Sequence, residues 1–182
     1  MKNKLTILLA LLLCVCLSAS ACGADVNSLE NLCFAVADFN LARAADYVDD
    51  GEGYFATVTS LASRLDAEKA EIAKAIYSSM SFSEFSEEDG ACTLTVKYID
   101  FDRLKRDVDA RINTGASATD VLSEIVESKG IARYTVTANG VKVMLRNDGE
   151  KVSVPLGYAG ENAEFTKMLG LEAFLRWYIL QE

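Results

Sequence analysis

The chain of 182 residues contains no histidine. That absence removes the usual general base near neutral pH, the serine–histidine and cysteine–histidine nucleophile pairs, and the common zinc ligand sets. No Walker loop, no Gly-x-Gly-x-x-Gly and no Gly-x-Ser-x-Gly is present, so no catalytic or cofactor motif is expected. Proline is almost missing as well, with Pro155 alone, while 51% of the residues are apolar. Such a composition describes a folded globule and not a disordered stalk. Positive charge is scarce: 18 Lys and Arg stand against 27 Asp and Glu, a net charge of -9. A surface this acidic repels phosphate backbones and anionic headgroups, which argues against nucleic-acid binding and against electrostatic adhesion to a membrane. No internal repeat or low-complexity tract occurs.

One long apolar run is present, and it lies at the N-terminus. Lys2 and Lys4 precede Leu5 to Leu17, apolar except for Thr6, and Ala19-Ser20-Ala21-Cys22 follows. The run is too short to cross a bilayer as a helix, which takes about 20 residues. It suits the hydrophobic part of a secretory signal with a small-x-small cleavage site. Plain secretion needs only Ala19-x-Ala21, whereas a cysteine in the next position resembles the lipobox of bacterial lipoproteins. Its usual form is Leu-Ala/Ser-Gly/Ala-Cys; here Ala19 replaces the leucine. The resemblance implies a signal peptide over residues 1–21, a lipidated tether over 22–25, and a diacylglyceryl thioether on Cys22. Two acyl chains suffice for stable anchoring where one is marginal, at about 0.8 kcal/mol per buried methylene. Removing residues 1–21 takes away two lysines and no acid, so the net charge falls from -9 to -11. The lipid then holds the protein on the extracytoplasmic face of the cell membrane without help from charge.

Residues 26–182 read as one α+β domain. Leu29, Leu32, Cys33 and Val36 recur at helical spacing. A break at Asp38–Asn40 precedes a short helix over Leu41–Val48, and a helical stretch over Phe55–Ser79 is interrupted near Asp66, an N-cap residue. From Ser81 the period becomes two. Asp89-Gly90 predicts a hairpin turn between strands over Ser81–Glu87 and Cys92–Ile99. Residues 101–129 return to helical character, broken at Gly115 and ended by Gly130 as a C-cap. Asn139-Gly140 and Asp148-Gly149 then predict two tight turns of a three-stranded meander. Its apolar face carries Tyr134, Val136, Ala138, Val141, Val143, Leu145, Val152, Val154 and Leu156. Pro155 suits an edge strand or a strand end. A helix over Glu161–Leu180 closes the chain.

The order of helices, mostly antiparallel sheet, helical insertion and terminal meander resembles the nuclear transport factor two-like fold, also called cystatin-like. More narrowly it is similar to small lipoproteins of Gram-positive bacteria that carry such a domain, with Tyr98-Ile99-Asp100 leading into the insertion. The resemblance implies N-terminal helices packed on the concave side of a curved sheet. The insertion and the C-terminal helix depart from the plain fold and stand where a ligand pocket would open.

Carboxylates are the acid–base candidates that remain. Strict alternation from Cys92 aims Asp100 inward, where Tyr98 or Tyr134 would supply a phenol for a small isomerase or hydrolase. The competing reading makes Asp100 the N-cap of the next helix. Asp46, Asp49, Asp50 and Glu52 lack the Asp-x-Asp-x-Asp-Gly spacing of a calcium loop and read as solvated, so no metal is expected. Glu84, Glu87, Glu88 and Asp89 read as charges guarding a sheet edge. Cys33 and Cys92 both point inward and stand either as a disulfide or as two separate buried thiols. Phe174 and Trp177 lie off the apolar stripe of the last helix. They form either a surface for a protein partner or a second buried face. The preferred expectation is a non-catalytic domain that binds a protein or small ligand.

Overall fold

The computed structural model describes residues 26–51, 53–88 and 91–181, and Cys22 with its signal lies outside them. Helix α1 covers residues 26–37. Its predicted face is fully inside: Leu29, Leu32, Cys33 and Val36 have no exposed surface. The helix ends on Phe39 in the left-handed conformation (φ 52°), with Asn40 N–H bonded to Ala35 O and Phe39 N–H to Val36 O. That is the Schellman closure that usually takes glycine. Stacking of Phe39 on Tyr77, at 5.1 Å between ring centroids, offsets the backbone strain.

Helix α2 is Leu41–Ala45, shorter than predicted, because Val48–Asp49 leaves the helix as strand β1. Helix α3 is Tyr54–Ala62 and α4 is Ala67–Tyr77, capped by Asp66, whose carboxylate accepts from Lys69 N–H at 2.8 Å. Strand β2 (Ser81–Glu88) pairs antiparallel with β3 (Ala91–Ile99), Glu88 opposite Ala91. The turn residues Asp89 and Gly90 lie outside the described set. Helices α5 (Phe101–Ile112) and α6 (Ala118–Glu127) form the insertion, followed by a 3-10 turn over Gly130–Tyr134. Gly130 is not the cap: Lys129 takes the left-handed conformation (φ 54°) one residue earlier. The base of the insertion is closed by a 2.7 Å bond from Asp100 N–H to Tyr134 O.

The first turn of the predicted meander does not exist. Residues Thr135–Met144 form one strand, β4, antiparallel to β3. Asn139-Gly140 is an extra residue's worth of chain within it, a bulge at the register shift between Leu94 and Val96, with Gly140 at φ 63°. A second bulge sits at the Ser83/Ser86 shift in β2, where Glu84 has φ 56°. The apolar face assigned from sequence survives in part, with a different partner: Cys92 stands opposite Val143, Leu94 opposite Val141 and Val96 opposite Ala138, whereas Val136, opposite Tyr98, is exposed. The second turn is a four-residue loop, 148–151, joining β5 (Arg146–Asn147) to β6 (Val152–Pro155). Asp148 closes it by accepting from the N–H groups of Glu150 and Lys151. Strand β6 also pairs in parallel with β1, giving a second small sheet in the order β1-β6-β5. Pro155 ends β6, where no ladder hydrogen bond is lost.

The predicted C-terminal helix is two, α7 (Ala163–Leu169) and α8 (Leu171–Ile179), separated by Gly170 at φ 62°. Helix α7 packs on β3 and β4, α8 on α3, and α6 on both α4 and α5. The result is an α+β fold with one hydrophobic core that runs from Leu29 to Ile179.

Candidate binding site: two clefts beside the 157–162 loop

Beyond β6 the chain crosses the surface before entering α7, and buried polar side chains fix that crossing. Gly157 N–H donates to Thr166 Oγ1 at 3.1 Å. Asn162 Oδ1 accepts from Met144 N–H at 2.8 Å, while its Nδ2 donates to Met144 O at 2.8 Å and to Pro155 O at 3.0 Å. Asn162 therefore pairs with Met144 as a neighbouring strand would, and ties β4, β6 and α7 together. Thr166 is fully buried and Asn162 is 3% exposed. On this rigid base the loop presents Tyr158, 46% exposed and flanked by Gly157 and Ala159.

The facing wall comes from the segment that enters α3. Asp50 lies ahead of that helix and caps its first turn, accepting from Phe55 N–H at 2.6 Å and Ala56 N–H at 2.8 Å. Asp49 pairs with Arg146. Asp49 and Asp50 are thus occupied with local structure, and no cluster of metal-ligating side chains occurs among the described residues.

Two clefts flank the loop and share Ala159. One, of about 190 Å³, is bordered by Asp49, Arg146, Leu156, Glu161 and Asn162. The other, of about 380 Å³, is lined by Tyr54, Thr57, Gly157, Tyr158 and Glu172. In the second, the Tyr54 and Tyr158 rings meet edge to face at 5.4 Å. The Tyr54 hydroxyl lies near the Tyr158 hydroxyl and the Glu172 backbone amide but makes a hydrogen bond of ordinary geometry with neither. Burial, and then the neighbouring Tyr158 phenol, push the Tyr54 phenol well above its usual range. Burial and the Glu172 carboxylate push Tyr158 up as well. Both phenols are therefore neutral at physiological pH. Glu172 is bound by Arg176 one turn on, Nε to Oε1 at 2.6 Å.

The residues singled out from sequence lie elsewhere. Asp100 is the N-cap of α5, its carboxylate accepting from Arg103 N–H at 3.0 Å. Tyr134 donates its hydroxyl to Asp107 Oδ2 at 2.9 Å, with the Arg103 guanidinium over its ring. Tyr98 is half-buried on β3 opposite Val136. Asp100 is therefore not brought to a phenol in a pocket. Cys33 and Cys92 are buried thiols that no disulfide joins. Burial, aided by Glu30, raises the Cys33 thiol well above its usual range, so it stays protonated and inert.

Phe174 and Trp177 do not form a partner surface, being only 2% and 7% exposed. Helix α5 covers them: Trp177 Nε1 donates to Asp109 Oδ1 at 3.1 Å, and Phe174 packs on Phe101 at 5.1 Å. Sequence reasoning passed over Tyr54, Tyr158, Asn162 and Thr166. The available signal was an aromatic residue set among small ones, Gly157-Tyr158-Ala159-Gly160, separated by one residue from a strand-ending proline. Comparison with protein-family models, curated proteins and solved structures finds no match to this chain.

Proposed function

We propose that the protein is a lipoprotein cleaved before Cys22 and held by lipid on the extracytoplasmic face of the cell membrane, where its α+β domain serves as a non-catalytic binding domain. The observation that carries the anchor is the spacing of the N-terminus. Ala19-Ser20-Ala21-Cys22 closes a short apolar run, and helix α1 is already formed at residue 26. A tether this short keeps the domain against the membrane, and an acidic chain gains no further attraction from the headgroups. The cystatin-like relationship is supported by helices that precede a bulged antiparallel sheet. The split of its last strands between two small sheets counts against it.

Binding without catalysis is supported by the missing histidine and by the use of Asp100 as a helix cap. The alternative, an isomerase or hydrolase working through Asp100 and a tyrosine, requires that carboxylate to be released from Arg103 N–H. The test is metabolic labelling with palmitate in a bacterial host that processes lipoproteins. The wild-type chain takes up label and sediments with membranes, and Cys22→Ser takes up none. Equal labelling of the two chains, or an unlabelled wild type, defeats the anchor.

A further inference from the structure

The cleft between Tyr54 and Tyr158 has a chemistry that narrows what it accepts, given the reading of this domain as a binding domain. Tyr158 is a half-exposed aromatic ring on a loop that Asn162 and Thr166 hold rigid. Its neighbours Gly157 and Ala159 leave the ring unshielded, while its edge-to-face contact with Tyr54 limits the conformational freedom it loses when a ligand covers it. Beside it stand hydroxyls and one carboxylate, Glu172, already neutralised by Arg176. A cation could rest on the face of the Tyr158 ring, but no unpaired negative group among the described lining residues would neutralise it there. An anion meets a carboxylate whose charge Arg176 already cancels, and finds no unpaired positive group among the described lining residues. A wholly apolar ligand would cover the phenol hydroxyls without bonding them, which is unfavourable. The lining suits best a neutral molecule with one apolar face and several hydroxyls.

We propose that this cleft binds a saccharide unit, with the ring of Tyr158 against the C–H face of the sugar. The Tyr158 hydroxyl and the Glu172–Arg176 pair would bond its hydroxyls. The cleft, of about 380 Å³, is shallow and does not enclose a ligand as a small-molecule pocket does. It is open at the side, so an end or a short stretch of a longer glycan is admitted as readily as a free sugar.

The experiment is saturation-transfer NMR on the full lipidated chain in phospholipid nanodiscs, with maltose, cellobiose and diacetylchitobiose as probes and choline and acetate as charged controls. The expected result is transfer to at least one disaccharide, concentrated on ring C–H protons, and none to choline or acetate. Tyr158→Ala should weaken that binding about tenfold, the equivalent of one aromatic contact. Tyr158→Phe, which keeps the ring, should weaken it by less. Circular dichroism of each variant separates lost binding from lost fold. Transfer to choline or acetate with none to any sugar overturns the saccharide assignment and leaves the binding-domain reading standing. Sugar binding unchanged in a folded Tyr158→Ala overturns the location. Silence from all five probes overturns the assignment, while the palmitate test of the anchor is unaffected.

Discussion

The ring of Phe101 occupies the space where any side chain on Gly170 would stand. A Cβ built there lies 2.4 Å from Phe101 Cδ2 and 2.5 Å from Cε2, and Gly170 itself is at φ 62°. Phe101 belongs to an aromatic cluster with Phe39, Tyr77, Phe174, Trp177 and Tyr178 that joins α1, α4, the insertion and α8. Glycine at the break between α7 and α8 therefore serves twice: it takes the left-handed conformation that ends α7, and it leaves room for Phe101 of the insertion.

Gly170→Ala combines left-handed strain of about 1–2 kcal/mol with overpacking of about 1–3 kcal/mol. The expected loss is about 3 kcal/mol in urea unfolding, followed by the fluorescence of Trp177, the single tryptophan. A loss below about 1 kcal/mol would mean that Phe101 moves freely aside.

Tyr77 is fully buried, and its hydroxyl has no hydrogen-bond partner among the described residues. An unmet buried hydroxyl is destabilising, so Tyr77→Phe should leave stability unchanged or raise it by about 1 kcal/mol. A clear loss of stability on the same urea titration would reveal a bond that the hydroxyl makes in solution.

The same burial sets the alkaline limit of the fold. Burial pushes Tyr178 up to about 12, and drives Tyr77 and Tyr54 upward as well. An unfolded phenol ionises near pH 10. Below that value both states are protonated and stability is flat. Between it and the folded values the unfolded chain has lost protons that the native state keeps, so stability falls as pH rises. Circular dichroism recorded with tyrosinate absorbance should show unfolding and phenol ionisation together above about pH 10. Ionisation of all seven tyrosines near their ordinary value, with the fold intact, would contradict the packing.

Asn162 satisfies two backbone groups of Met144 and one of Pro155. Asn162→Leu keeps the bulk and removes all three bonds, with an expected cost of about 3 kcal/mol. Amide exchange should rise at Met144 before it rises in β3. Uniform exchange across both strands would show that the 157–162 loop is not fixed by this residue.

Local signals carried the helices well. The spacing of Leu29, Leu32, Cys33 and Val36 gave the buried face of α1, and Asp66 stands at a helix start where its side chain accepts from the first turn. Alternation placed Cys92, Leu94 and Val96 inside. The Asn139-Gly140 step misled because a tight turn and a bulge both need a left-handed residue. The choice between them is made by β3, a strand far away in sequence. Gly170 is similar: the contact with Phe101 that excludes a side chain there is one that no helical pattern near Gly170 reveals. The cleft was illegible for the same reason, since Tyr54 and Tyr158 come from distant segments and meet only once α3 packs on α8.

The most direct test of the whole account is intact-mass and peptide spectrometry of the membrane-bound chain. The account predicts a mature N-terminus at Cys22 bearing a diacylglyceryl thioether, with residues 1–21 gone. An unmodified Cys22, or an N-terminus at any other residue, would contradict it.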